Sequence, residues 1–324
     1  MLKNSLSSAE VCAGAGGQAL GLEQAGFDHV ALVEIDEHCR NTLKLNRPEW
    51  NVLEDDQCDL STFDASPYRG IDLLAGGLPC PPFSVAGKQL GADDERNLFP
   101  AALRAIDQSR PKVVLIENVR GFLGAVFSDY RQDLKKQLSK LGYITDWRLF
   151  NASDFGVPQL RPRVVIVAVR KEISESFSWP TPTGLTAATV GETLHDLIAE
   201  NGWKGAKNWS ERANEIAPTI VGGSKKHGGP DLGPTRAKKA WATLGVDGMG
   251  IANAPPDKDF VGMPRLTVRM VARLQGFPDD WEISGRKTAA YRQVGNAFPP
   301  PVAKAVSQCL SAAISAQPRL RLRA

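Results

Sequence analysis

Four short apolar runs, Val30–Val33, Ile71–Ala75, Val113–Ile116 and Val164–Val169, recur between amphipathic stretches from residue 8 to about residue 170. Runs of this length rich in Val, Ile and Leu suit strands buried on both faces, which is the condition of a parallel sheet. Between them, Gln18–Ala25 reads as a helix closed by Gly26. Asp129–Leu141 reads as a second, with Tyr130, Leu134, Leu138 and Leu141 on one face and Gly142 at its C-terminal cap. Strand and helix in alternation predict an α/β fold, a doubly wound parallel sheet.

The texture changes after about Ser174. Residues 180–262 hold many Pro, Gly, Thr and Lys and little sustained periodicity, yet Trp203, Trp209 and Trp241 need burial. This stretch is expected to be a loop-rich inserted domain. Helical order returns at Thr267–Gly276, with Thr267 as N-cap and Gly276 as C-cap, and Pro301–Ala316 should return to the first domain. The expected division is 1–178, 179–264, 265–290 and 291–324, with the arginine-bearing end from Pro318 frayed. There is no internal repeat.

With 324 residues, 42% hydrophobic, 23% charged and a net charge of +3, the chain has the balance of a soluble globular protein. So weak a positive balance does not by itself indicate nucleic acid, and any basic surface must be local. The insert supplies one candidate, the five cations Lys225, Lys226, Arg236, Lys238 and Lys239. Its lysines are as readily a solvated face as phosphate contacts. No apolar run approaches a membrane span. Five cysteines without a Cys-x-x-Cys pair give no zinc pattern and suit a reduced cytoplasmic compartment.

Two loops carry candidate chemistry. After the run Ile71–Ala75 come Gly76 and Gly77, then Cys80 flanked by Pro79 and Pro81. A lone cysteine is more often a buried structural thiol, but packing does not require proline on both sides. Prolines restrict the backbone at a strand end where α/β enzymes place reacting groups, so Cys80 is a candidate nucleophile. The second loop, Cys12-Ala13-Gly14-Ala15-Gly16-Gly17-Gln18-Ala19, fits the dinucleotide fingerprint Gly-x-Gly-x-x-Ala. Glu34 lies twenty residues beyond Gly14. An acid there can accept ribose hydroxyls, which points to an adenosine-containing ligand of unspecified type and keeps a nicotinamide oxidoreductase open.

Taken together in order, these motifs resemble those of the cytosine-5 DNA methyltransferases along nearly the whole chain. Glu10–Gly17 is similar to the first motif and Leu74–Ser84, continuing through Arg96, to the nucleophile motif. Ile116-Glu117-Asn118-Val119 and Gln159-Leu-Arg161-Pro-Arg163 follow. Arg265–Arg269 with Leu274–Pro278, and Gln293-Val-Gly-Asn296-Ala297, complete six ordered matches. Three positions depart from the pattern: Cys12 where phenylalanine is usual, Glu10 for aspartate, and Pro81 where glutamine is common.

The resemblance implies a Rossmann-like, S-adenosylmethionine-dependent enzyme with a smaller target-recognition domain. Cys80 would add as thiolate to carbon 6 of an extruded cytosine. Glu117 would donate a proton to ring nitrogen 3, and Arg161 and Arg163 would both face the cleft, Arg163 on the base carbonyl. Cys12, Ala13, Gly14, Ala15, Gly16 and Gly17 would cradle the methionine end of the cofactor. Glu34 would take the ribose and Ile35, Asp59 and Leu60 the adenine, with Pro79, Leu98, Asn296 and Ala297 completing the pocket. Ser84, Thr219, Lys225, Lys226, Arg236, Lys238 and Lys239 would contact double-stranded DNA. A monomer without metal is expected, cytoplasmic and at the nucleoid when on DNA. Within the family, tRNA-directed members carry Cys-Phe-Thr, and no cysteine here precedes phenylalanine. An oxidoreductase would leave Cys80, Glu117 and Arg163 without roles, and a non-catalytic DNA-binding scaffold would have no use for the full set. The target sequence, a paired endonuclease and a maintenance or de novo preference stay open.

Overall fold

The computed structural model describes residues 5–79, 97–184, 186–223 and 229–316. Its centre is a six-stranded sheet: β1 Leu6–Val11, β2 Phe27–Val33, β3 Leu73–Gly77, β4 Val113–Val119, β5 Tyr143–Asn151 and β6 Pro162–Arg170, in the order β2-β1-β3-β4-β6-β5. Alternate residues along each strand enter two different cores. Val114, Ile116, Val164 and Ile166 pack on one face with helices α3 (Phe99–Ser109) and α4 (Ser128–Lys140), through Ala105, Ile106, Leu134 and Leu138. Leu73, Ala75, Val113, Leu115, Val165 and Val167 pack on the other with α1 (Gly17–Gln24) and α10 (Pro300–Ser315), through Leu22, Val302 and Leu310. Burial on both faces is why these strands read as uninterrupted apolar runs.

The sheet is mixed rather than wholly parallel. Strands β2, β1, β3 and β4 run parallel, but β6 is antiparallel to both β4 and β5. Only residues 152–161 separate β5 from β6. That is too short for the crossover a parallel neighbour needs, so the chain doubles back. β5 has no counterpart among the four apolar runs: it lies at the sheet edge, and Ile144 and Leu149 are exposed.

Helix α2 (Glu37–Asn46) starts at Asp36, whose side chain accepts from the His38 amide. The stretch expected to be loop-rich contains three helices, α5 (Val190–Ala199), α6 (Ala206–Arg212) and α7 (Thr235–Thr243). Thr189 and Glu192 form a capping box at the start of α5, a Thr-x-x-Glu signature visible in the sequence. Then follow α8 (Val268–Leu274), capped by Thr267, and α9 (Lys287–Asn296). Trp203, Trp209 and Trp241 are buried in one cluster with Ala13, Leu20 and Leu43 of the sheet half. α10 lies against α1 at Gly21, where a Cβ would stand 2.5 Å from the Ala303 Cβ.

Candidate active site

At the carboxyl ends of β1, β3 and β4 a cavity of about 310 Å³ opens between the β1–α1 loop and the α9–α10 junction. The loop is shaped by backbone that most residues avoid: Cys12, Gly14 and Gly16 have φ of 54°, 55° and 83°. Two glycines serve close packing. A Cβ on Gly16 would lie 2.7 Å from Leu43 and 2.9 Å from Trp281, and one on Gly17 would lie 2.3 Å from the Phe298 carbonyl. Trp281 also holds the loop directly, its indole N–H donating to the Ala15 carbonyl at 3.1 Å.

Nine of the fourteen expected cofactor residues line the cavity: Cys12, Ala13, Gly14, Ala15, Gly17, Glu34, Ile35, Asn296 and Ala297. Gly16 does not, because its place is against Leu43 and Trp281. Asp59, Leu60, Pro79 and Leu98 are also not among the lining residues. Leu60 is buried in the core on the α3 side, and Leu98 packs against that core. The Asp59 side chain caps its own turn, accepting from the Ser61 amide, although its charge still reaches the Cys12 thiol.

Glu34 is fixed at the mouth. One carboxylate oxygen accepts from the Gly14 amide at 2.7 Å and the other from the Asp36 amide at 2.8 Å. Burial raises its pKa against the pull of those two donors. Beside it Ile35 is 64% exposed, an apolar surface at the rim. Glu10 lies deeper, with one oxygen buried and unpartnered and its pKa pushed well up by burial and by Glu34. Asp36 meets Arg292 at 3.3 Å. Among the described lining residues, carboxyl groups therefore outnumber guanidinium groups four to one: Glu10, Glu34, Asp36 and Glu117 against Arg292. The described lining thus offers many oxygen acceptors, while its one guanidinium, Arg292, is already engaged by Asp36. Glu10 figured in the sequence only as a departure from a motif, and Asp36 and Arg292 carried no signal beyond the helix-start aspartate.

Glu117 forms the inner wall. It pairs with Gly77 of β3 and Val165 of β6, while Arg163 pairs with Val119. Residues 117 and 163 are thus diagonal neighbours on one sheet face. Arg163 Nε stands 2.6 Å from Glu117 Oε1, with both side chains about one-tenth exposed. The N–H is not aligned on that oxygen, so the contact is an ion pair rather than a well-formed hydrogen bond. Burial raises the Glu117 pKa and outweighs the downward pull of Arg163 and Arg161. Asn118 donates from Nδ2 to the Leu78 carbonyl at 3.1 Å, tying β4 to the chain that leads towards Cys80.

Arg161 departs from expectation. It precedes β6 and turns away from the cleft, fully buried, with its donors on the backbone carbonyls of Ile220, Gly295 and Ala297. The two guanidiniums do not share one face because strand alternation begins only at Pro162. At Cys12, burial and the neighbouring carboxyl groups push the thiol far up, which works against a thiolate there.

Cys80, Ser84, Lys225 and Lys226 lie outside the described residues. Thr219 is half-buried and its hydroxyl donates to the Leu160 carbonyl. The α7 cations do not act as one cluster. Arg236 and Lys239 are exposed, but Lys238 is half-buried and pairs with Asp231 at 3.0 Å. Helical spacing puts Lys238 towards the side of buried Trp241 and the other two away from it. Among the described residues no group of three or more His, Cys, Asp or Glu could hold a metal, and no helix is long and apolar enough to cross a membrane.

The family profile for C-5 cytosine-specific DNA methylases matches residues 6–312. The chain is 56% identical to the Type II methyltransferase M.NaeI of Lentzea aerocolonigenes, over 99% of this chain and 78% of that protein. It is 54% identical to M.NgoMIV of Neisseria gonorrhoeae, over 93% of this chain and 96% of the relative. A crystal structure of a prophage-encoded putative DNA modification methyltransferase from Escherichia coli superposes with a TM-score of 0.66 at 24% identity, covering 94% of this chain and 98% of its own. A Spodoptera frugiperda DNMT2 variant gives 0.63 at 19%, covering 94% of this chain and 99% of its own. Those two likenesses speak for the fold alone, while the more identical relatives favour DNA over a tRNA substrate. On the strength of the profile and these relatives, the chain belongs to the C-5 cytosine-specific DNA methylase family.

Proposed function

We propose that the cavity holds S-adenosylmethionine and that the neighbouring cleft methylates carbon 5 of a cytosine extruded from a short, specific duplex site. The observation that carries this reading is the position of Glu117, on the wall of the same acid-lined cavity as the β1–α1 loop and in contact with Arg163. The bound cofactor supplies an electrophilic methyl group on a positively charged sulfur. Glu34 would take the ribose hydroxyls with its remaining lone pairs, Ile35 would cover the adenine, and Ala13–Gly17 and Asn296 would enclose the methionine end. Glu10 would face the ligand's positive charge. With Arg292 engaged by Asp36, the described lining suits the pyrophosphate of a nicotinamide dinucleotide badly.

In the cleft, the Cys80 thiolate would bond to carbon 6 of cytosine, sending an electron pair towards carbon 5 and charge onto the ring. Glu117, kept easily protonated by burial, would pass a proton to ring nitrogen 3, and Arg163 would donate to the base carbonyl oxygen. The base reaches them only by leaving the helix stack, at about a few kcal/mol. Arg236, Lys239, Lys225, Lys226, Ser84 and Thr219 are the proposed DNA contacts, and 1–178, 179–264, 265–290 and 291–324 the proposed division of labour along the chain. Action within a restriction–modification system, beside a cognate endonuclease and in the cytoplasm, follows by analogy with the relatives.

Bisulfite sequencing of DNA from a methylation-free host expressing the chain tests activity, base and site together. A single methylated sequence context is expected. Soluble, folded protein that leaves the DNA unmethylated would overturn the reading.

A further inference from the structure

A fully buried guanidinium without a carboxylate in contact is costly, and among the described residues no carboxylate pairs with Arg161. Besides a longer bond to Gln159 Oε1 at 3.4 Å, its terminal nitrogens donate to two separate chain segments. One terminal nitrogen donates to the Ile220 carbonyl at 2.6 Å, and the other to the Gly295 and Ala297 carbonyls at 2.8 and 3.0 Å. Ala297 lines the cofactor cavity; Ile220 belongs to the strap 219–223, which begins at Thr219. The strap is pressed onto the cavity wall at a contact only glycine permits. A Cβ on Gly222 would lie 2.5 Å from Asn296 Oδ1 and 2.6 Å from the Arg292 carbonyl, and one on Gly295 would lie 2.5 Å from Gly222 Cα. Gln159 supports the same junction, its Oε1 accepting from the Ile220 amide and its Nε2 donating to Gln275, which donates in turn to the Ala297 carbonyl.

We propose that Arg161 is a positioning residue, the strut that, with Gln159, Tyr291 and Asn296 also bonded to the strap, holds 219–223 at a fixed distance from the cofactor wall and so sets the base-side and donor-side walls relative to each other. This rests on the cofactor and substrate reading above. Arginine suits the task because its planar fork can donate in two directions at once, which a lysine ammonium on one flexible stem does not reproduce. A reaction between two bound partners is sensitive to their spacing, and a displacement of about 1 Å can cost about a hundredfold in rate.

The test uses the full chain with Arg161→Met, Arg161→Lys and Gly222→Ala. It measures kcat on a duplex carrying the site found by bisulfite sequencing, S-adenosylhomocysteine affinity by calorimetry, and hydrogen exchange of residues 219–223 and 13–17. In folded Arg161→Met, exchange at 219–223 should quicken at least fivefold while 13–17 is unchanged. Its kcat should fall about a hundredfold, with product affinity within threefold of wild type. Arg161→Lys should behave as Met does; recovery of wild-type kcat by lysine would leave only the charge and overturn the strut. Unchanged exchange at 219–223, or an equal loss of kcat and affinity, would also overturn it. Should Arg161→Met not fold, Gly222→Ala decides, because it pushes the strap off the wall with Arg161 in place. The same loss of kcat at retained affinity supports the strut, and wild-type kcat refutes it. Failure of the cofactor reading looks different: the wild-type chain itself would not bind S-adenosylhomocysteine.

Discussion

The cavity end of the sheet and the stretch from residue 187 to 264 are both well packed, but they are built by different means. At the sheet, local rules suffice. Parity along each strand sends neighbours into opposite cores, and it places Glu10, Gly77, Glu117 and Arg163 on one face at the strand ends. In the later stretch burial depends on anchors that reach across the sequence. The Trp203 indole donates to the Phe260 carbonyl at 2.9 Å, that of Trp209 to Gly245 at 3.1 Å, and Trp241 sits in the same core. On the proposed reading, chemistry would be set at the sheet ends and target choice entrusted to the later stretch, whose helices and loops are held at a few points. Substitutions at the sheet ends should change rate or cofactor affinity, and substitutions in the later stretch should change DNA binding.

The largest effects belong to the reacting groups. Cys80→Ser should bring methyl transfer below detection while S-adenosylhomocysteine affinity is retained, and DNA containing 5-fluorocytosine should trap the wild-type chain covalently. Turnover by the serine variant would remove Cys80 from the scheme. Glu117→Gln should lower kcat by about 10²–10⁴, the usual contribution of a positioned acid. Burial raises the Glu117 pKa above its ordinary 4.5, and the proposed reaction would need the protonated form. Wild-type kcat should therefore fall as pH rises through the raised value, and the glutamine variant should lack that limb. The stability sign follows the same shift. The folded state prefers neutral Glu117, so its contribution is fully present below about 4.5 and lost as pH rises through the folded value. Glu117→Gln should accordingly gain thermal stability, relative to wild type, on the alkaline side. An alkaline limb of kcat that survives the substitution would assign it to another group.

A smaller effect is expected at the cavity mouth. Glu34→Ala should weaken S-adenosylhomocysteine binding by about 1.5–3 kcal/mol, the range for hydrogen bonds to a charged group. NADH serves as the control in the same calorimetry, and tighter binding of NADH than of the thioether would restore the oxidoreductase reading. If the comparison between the two regions holds, this variant keeps its DNA affinity.

Much of the cavity was legible in the sequence because its determinants are close together: a glycine-rich turn after a strand, an acid at the next strand end, and short motifs of fixed spacing. What escaped depends on pairing between distant segments. The reversed β6 is decided by the short connection from residue 152 to 161, and β5 hid because an edge strand buries only one face. Arg161 and Arg163 are two residues apart in a strand-like context, yet one reaches the Glu117 cleft and the other braces the Ile220 and Ala297 carbonyls. The sequence shows neither that the strand begins only at Pro162 nor the partners 59 to 136 residues away that hold Arg161. The polar face of α7 was likewise not legible, since cations counted along the chain take no account of Asp231 or of the direction of Trp241.

That face gives the smallest and most discriminating expectation. Each exposed cation that meets a phosphate releases counterion, so its neutral substitution should lower the slope of log affinity against log salt by about one, on specific and non-specific DNA alike. Arg236→Ala and Lys239→Ala should each show this, because both side chains are exposed on the side of α7 away from Trp241. Lys238→Ala should change the slope far less, because that ammonium is held by Asp231 at 3.0 Å and half-buried. Filter-binding titrations at several salt concentrations separate the three variants without knowledge of the target sequence. Slopes unchanged from wild type in all three would mean that α7 is a solvated face and that DNA is gripped elsewhere. A slope change in Lys238→Ala as large as in its neighbours would mean that DNA draws the lysine away from Asp231, and the rigid picture of that helix would have to give way.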